Sequence, residues 1–210
     1  MTNTFNIKYV HDHFQQCLHN DDDILLKEYL ESYEELNRFC DLMGVVFTFV
    51  SKDLRSKMDI LYQFLQNSET SDHFHSAKKM IEYEAVNNLL DKKGYTSGSR
   101  TLLRLHRGLD FIRVFLKNVH ELKDTDTTAG VCRAAYDQTL AHHHTFMIRG
   151  GVKLAMHTMP TRGQLLKQLC GDEEGIRKAI ELLPNMLDVA SVVFKRVDDL
   201  YTAKELHTLP

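Results

Sequence analysis

The sequence predicts an all-α fold, on two observations. Proline occurs only three times in 210 residues, once as the last residue, so little interrupts a helix. The long segments between turn signals repeat their apolar residues every three or four positions, which marks one face of a helix and not the alternation of a strand.

The elements follow in order. Leu26, Tyr29, Leu30, Tyr33, Leu36, Phe39, Cys40, Met43, Phe47 and Val50 form a continuous stripe, which predicts a single long helix over residues 24–50. Residues 53–65 form the next, with Ser51 as its cap, and the polar stretch 66–75 closes it. Met80, Tyr83, Val86, Asn87 and Leu90 mark another helix, ended by Lys92-Lys93-Gly94, cations then glycine in C-terminal order. Ser97-Gly98-Ser99 opens a helix over 100–122, carried by Leu103, Leu105, Leu109, Ile112, Phe115, Leu116 and Val119. Beyond the capping-type segment Asp124-Thr-Asp-Thr-Thr, a helix is expected from about Ala129 towards Met156. Thr158-Met-Pro-Thr-Arg makes a break; a short helix over 162–169 and a long one from Asp172 to about Ala203, kinked at Pro184, complete the chain.

No internal repeat, low-complexity tract or linker divides these elements, so one domain over residues 1–210 is expected. Net charge is −3 with acidic and basic residues interspersed, which leaves no nucleic-acid footprint. The opening MTNTFNIKYVHDHF lacks the apolar run of a secretory signal, and the most apolar stretch, 42–50, is half the length of a membrane span. Cys17, Cys40, Cys132 and Cys170 are scattered with no C-x-x-C pair, which reads as buried thiols in a reducing compartment, the cytosol by default.

Most familiar site chemistry has no support in the sequence. There is no phosphate-cradling glycine loop, no G-x-S-x-G, no H-E-x-x-H and no E-x-x-H pair. The run His142-His143-His144 invites a metal, but consecutive side chains on a helix fan about 100° apart and cannot converge on one ion. His73 and His75 stand in a polar loop without ligand partners at the right spacing. No metal, cofactor or catalytic residue is expected.

Two charged clusters remain. In Val50-Ser-Lys-Asp53-Leu-Arg-Ser-Lys57, Asp53 and Lys57 are four apart and share a helix face. In Arg100-Thr-Leu-Leu-Arg104-Leu-His-Arg107, three cations at i, i+4 and i+7 share another and repel. One reading is a solvated face with a surface ion pair. The other is a phosphate clamp, two guanidinium forks and an ammonium. Spacing alone leaves both open.

The strings Tyr29-Leu-Glu-Ser-Tyr-Glu-Glu-Leu36, Phe47-Thr-Phe-Val-Ser-Lys-Asp53-Leu-Arg-Ser-Lys57, Ser97-Gly-Ser-Arg-Thr-Leu-Leu-Arg-Leu-His-Arg107, Met159-Pro-Thr-Arg162 and the Leu-Pro ending resemble the glycolipid transfer protein superfamily, and within it the branch that carries ceramide-1-phosphate. The resemblance covers essentially the whole chain. It implies a two-layer α-helical sandwich enclosing a hydrophobic lipid pocket, with a polar recognition site at its mouth. It implies that Asp53 accepts the sphingoid amide N–H and His144 donates to the acyl carbonyl, while Lys57, Arg100 and Arg104 hold the phosphate. Phe146 aligns with a membrane-docking aromatic, although a core position is an equal reading; Arg107 reads as a packing cation outside the site. The glycolipid-binding branch stacks a tryptophan on its sugar where this sequence has Arg104, and it has asparagine where this sequence has Lys57. This chain has no tryptophan at all. A phosphate of charge about −1.5 to −2 gains two cations from these exchanges.

The implied function is non-catalytic transfer of a phosphorylated sphingolipid, ceramide-1-phosphate above all, by a cytoplasmic monomer that touches membranes peripherally. About thirty methylenes, at about 0.8 kcal/mol each, bar spontaneous escape of such a lipid through water. The rivals are a sphingolipid-modifying enzyme using Asp53 or His144, which lacks a nucleophile beside them, and a sensor that binds the same lipid and docks a partner protein. Phe39, Met43, Phe47, Leu103, Leu109 and Phe115 are expected in the core, where some also line the lipid tunnel.

Overall fold

The computed structural model describes residues 4–44 and 47–210. The sequence patterns assign no element ahead of residue 24, yet Ile7–Cys17 is a helix, α1, which buries Ile7, Val10, Phe14 and Cys17 and is capped by Asn6. A pair of two-residue antiparallel strands, β1 (Leu18–His19) and β2 (Asp23–Ile24), turns the chain into α2 (Leu26–Leu42).

The single helix expected over 24–50 is in fact two. α2 ends at Leu42, and Gly44 takes φ +95, a left-handed conformation that favours glycine over any residue with a Cβ. The apolar stripe runs on through the break because Met43 and Phe47 stay in the core. The next helix, α3 (Thr48–Gln66), starts earlier than expected, so Ser51 is a buried interior residue and not the cap.

The polar stretch holds a single turn, α4 (Ser71–Phe74), before α5 (Ala77–Val86). α5 stops short of residue 90 because Asn88 turns left-handed, at φ 53, while the Asn87 amide donates to the Tyr83 carbonyl. α6 (Gly98–His120) opens on the Ser97 cap, as expected. The helix expected from 129 towards 156 is broken into α7 (Ala129–Gln138), a 3₁₀ turn (Leu140–His143) and α8 (Phe146–Met156). The Thr139 hydroxyl donates back to the Ala135 carbonyl, beside the Thr139 N–H that keeps its helical bond to the same oxygen at 3.1 Å, and Thr145 caps the new helix, so polar side chains mark both ends of the gap. α9 (Arg162–Cys170) carries a full capping box from Thr161 and Gln164, and α10 (Glu173–Ala203) continues through Pro184.

α6 is the hub, packed against α3, α5, α7 and α10, while α1 lies on α2 and α10. Two buried tyrosines fix it: the Tyr33 hydroxyl donates to the Leu105 carbonyl and the Tyr201 hydroxyl to the Ser99 carbonyl, each at 2.6 Å. Its first turn is fixed by an anion from the chain itself. The fully buried Glu84 carboxylate accepts from the Tyr95 hydroxyl (2.9 Å), the Ser97 hydroxyl (2.6 Å) and the N–H groups of Gly98 (2.7 Å) and Ser99 (2.9 Å). Gly98 has no room for a side chain, since a Cβ there would meet the Met80 sulfur at 2.6 Å. The six expected core residues are all buried, and all four cysteines are free thiols. Among the described residues no helix is long and apolar enough to cross a membrane.

Candidate functional site

The predicted residues come from three elements: Asp53 and Lys57 from α3, Arg100 and Arg104 from the first two turns of α6, and His144 from the extended link ahead of α8. The break at 139–145 is what frees His144 from a helix, with φ −108 and ψ 144. Its side chain therefore turns independently of the two histidines before it.

Asp53 and Lys57 form an ion pair at 2.5 Å, so the surface-pair reading is realised in the structure. The pair is lopsided: the Asp53 side chain is 53% exposed and that of Lys57 only 15%. Burial pushes the His144 imidazole below the ordinary histidine pKa; Asp53 opposes that shift and Lys57 adds to it, which puts both charges within electrostatic reach of the ring. The half-buried His144 Nδ1 lies 2.8 Å from the Tyr136 hydroxyl. Next along the chain, His143 is depressed by burial and then by Arg107, which ties the second cation cluster to the same neighbourhood.

The arginines have partners of their own. Arg100 donates to the Tyr95 carbonyl, and Arg104 donates through one terminal nitrogen to the backbone oxygen of Pro210 at 3.1 Å. Arg107 donates to the His207 carbonyl at 2.7 Å, in keeping with a packing cation. The structure thus pairs Asp53 with Lys57 and brings His144 within electrostatic reach of both, while the Arg100 guanidinium turns back to its own loop. Spacing could not reveal these carbonyl partners, because any residue supplies a carbonyl. Tyr136 was not singled out by any sequence pattern.

Phe146 is 85% exposed, as is Met147, and Leu154 on the same helix stands open beside the cations Arg149 and Lys153. The core reading of Phe146 is therefore overturned. Among the described residues no three histidine, cysteine or acidic side chains gather as a metal site. A groove of about 380 Å³ between α6 and α10, lined by Arg113, Lys117, Pro184 and Asp188, holds none of the predicted residues.

The profile of the Glycolipid transfer protein (GLTP) family matches residues 24–171. The ceramide-1-phosphate transfer protein of Rattus norvegicus is 34% identical over 213 residues, covering 98% of this chain and 97% of the relative. The chain belongs to the glycolipid transfer protein family. The crystal structure of the mouse ceramide-1-phosphate transfer protein without lipid superposes with a TM-score of 0.91 at 33% identity, covering 98% of this chain and all of that one. The human protein in complex with 12:0 ceramide-1-phosphate gives 0.88 at 32% identity, covering 98% and 100%. The fold is thus the all-α, two-layer sandwich of this family, and its relatives transfer lipid.

Proposed function

We propose that this member of the family carries ceramide-1-phosphate between membranes as a single domain over residues 1–210, making and breaking no covalent bond. The observation that carries the reading is the Asp53–Lys57 pair on α3, within electrostatic reach of His144 and packed against an α6 whose second turn presents Arg104.

The chemistry divides between amide and phosphate. The exposed Asp53 carboxylate accepts the sphingoid N–H, and His144 donates to the acyl carbonyl. Lys57, Arg100 and Arg104 take the phosphate, the guanidiniums through paired N–H donors that match its oxygens. A neutral sugar meets Arg104 where the glycolipid-binding branch offers an indole to stack on, and the chain has no tryptophan elsewhere to replace it. The two hydrocarbon chains exchange bilayer for protein interior and never meet bulk water.

α8 supplies the membrane contact. Phe146, Met147 and Leu154 form an exposed apolar face, and Arg149 beside it suits anionic headgroups, as does Lys153 once a headgroup displaces or shares its 2.8 Å pairing with Asp137. The protein acts as a cytoplasmic monomer that visits membranes peripherally.

Vesicle-to-vesicle transfer tests the proposal. Transfer of ceramide-1-phosphate is expected to be clear and that of galactosylceramide weak; equal or faster transfer of the glycolipid would sink the headgroup assignment while leaving fold and family standing.

A further inference from the structure

His144 has one side-chain hydrogen bond among the described residues, between its Nδ1 and the Tyr136 hydroxyl, and that hydroxyl has no other partner there. Tyr136 projects from α7 and is only 2% exposed. Two arrangements of protons are conceivable. If the imidazole donates from Nδ1, the phenolic proton is left buried without an acceptor, at the cost of an unsatisfied donor. If the phenol donates, Nδ1 accepts and the ring proton sits on Nε2, so no buried donor is wasted. Burial favours the second arrangement twice over. It raises the Tyr136 pKa, which keeps the phenol protonated, and it lowers that of His144, which keeps the ring neutral with a lone pair on Nδ1.

We infer that Tyr136 positions His144: its hydroxyl occupies Nδ1, fixes the Nε2–H tautomer and leaves Nε2 as the one imidazole donor turned to the site. What that donor meets rests on the sphingolipid reading above, in which it is the acyl carbonyl. The need for such a device follows from the backbone. His144 lies in an extended link outside any helix, so no helical turn limits its ring, and an unanchored imidazole could flip and offer a lone pair where a donor is required. Asp53 and His144 then read the two ends of one amide, acceptor against N–H and donor against C=O. Tyr136 does not touch the lipid in this scheme; it acts through the histidine.

The test uses the full chain with ¹⁵N-labelled histidine, the His144 signals being those that vanish in a His144→Gln variant. The wild type should show an unprotonated Nδ1 and a protonated Nε2. Tyr136→Phe, which keeps ring and packing, should give mixed tautomers and weaken binding of short-chain ceramide and short-chain ceramide-1-phosphate by the same factor, about 3- to 10-fold. In a His144→Ala background the same change should cost nothing further. A protonated Nδ1 in the wild type overturns the inference, and so does an unchanged spectrum in Tyr136→Phe. An equal loss of affinity with or without His144 overturns it too, because it makes Tyr136 a packing residue only. If the wild type binds neither lipid, the sphingolipid reading fails, and the imidazole spectrum still upholds or overturns the tautomer.

Discussion

Arg104 carries the headgroup assignment, and replacing it with leucine isolates that role. The guanidinium has five N–H donors in a rigid fork, of which one terminal nitrogen is engaged by the backbone oxygen of Pro210. The remaining donors leave a two-pronged face free for phosphate. A charge-assisted hydrogen bond of this kind contributes about 1.5 to 3 kcal/mol. Because Arg104 is exposed, solvent screening holds the expected loss near the lower end, about 10-fold in affinity. Leucine at this position leaves α6 intact, since the side chain points outward from a helix whose buried face lies elsewhere. The assay is equilibrium binding of short-chain ceramide-1-phosphate and of short-chain ceramide at fixed salt. Only the phosphorylated lipid should lose affinity, and Arg104→Lys should recover part of it, since an ammonium cannot make the paired contact. Raising the salt should shrink the difference between the two lipids in the wild type. Equal weakening of both lipids would refute the reasoning and leave the headgroup to Lys57 and Arg100.

Three further outcomes are expected. Asp53→Val should abolish transfer of every sphingolipid with helicity unchanged, because it removes the amide acceptor; retained transfer would reduce Asp53 to a surface partner of Lys57. Phe146→Ala should slow vesicle transfer while leaving binding of a soluble short-chain lipid as it was, and an equal loss in both assays would take the ring out of the membrane contact. His106, 3% exposed, is depressed to about 4 by burial, against the pull of Asp198, so the unfolded chain binds the extra proton first. Its contribution to stability is therefore whole above about pH 6.5 and is lost as pH falls from there towards 4, at about 1.4 kcal/mol per unit at most. Urea unfolding between pH 7 and 4 measures the slope, and a His106→Phe variant that kept the full slope would exclude this histidine as its source.

How much of this was legible in the sequence depended on whether the signal was local. The start of α6 was readable because Ser97 caps and the arginines repeat at helical spacing, and the six core residues followed from the same period. The break between α2 and α3 was not, because Met43 and Phe47 keep the stripe in phase across it; the signal was Gly44, whose left-handed backbone the period cannot register. The gap at 139–145 had a signal in Thr139 and Thr145, but threonine also occurs inside helices, and only the fold shows that the Thr145 hydroxyl caps α8 while that of Thr139 adds a second donor to the Ala135 carbonyl at the end of α7. α1 went unassigned because its four buried residues are spread among histidines and glutamines. For the site, residue types and positions came from the resemblance, whereas partners far apart in the chain, such as Pro210 on Arg104, depend on the tertiary fold.

Those partners change how affinity should be reckoned. Lys57 is paired with Asp53, Arg100 with the Tyr95 carbonyl and Arg104 with the backbone oxygen of Pro210, so a phosphate gains only the difference between its own contacts and those it replaces or shares. The arginines can share, since a fork with five donors keeps some free. Lys57 faces a competition, because the carboxylate that holds it is the proposed acceptor for the amide N–H. An amide on Asp53 weakens that carboxylate's hold on Lys57 and turns the ammonium towards phosphate, while phosphate on Lys57 leaves Asp53 open to the amide. On the proposed assignment the two recognition events are coupled through one ion pair. A lipid with a phosphate but no amide meets a lysine still held by its aspartate, and one with an amide but no phosphate draws Asp53 away from a cation that then has nothing to hold. Specificity for a phosphorylated sphingolipid arises in this scheme from the exchange within the Asp53–Lys57 pair as much as from the number of cations around it.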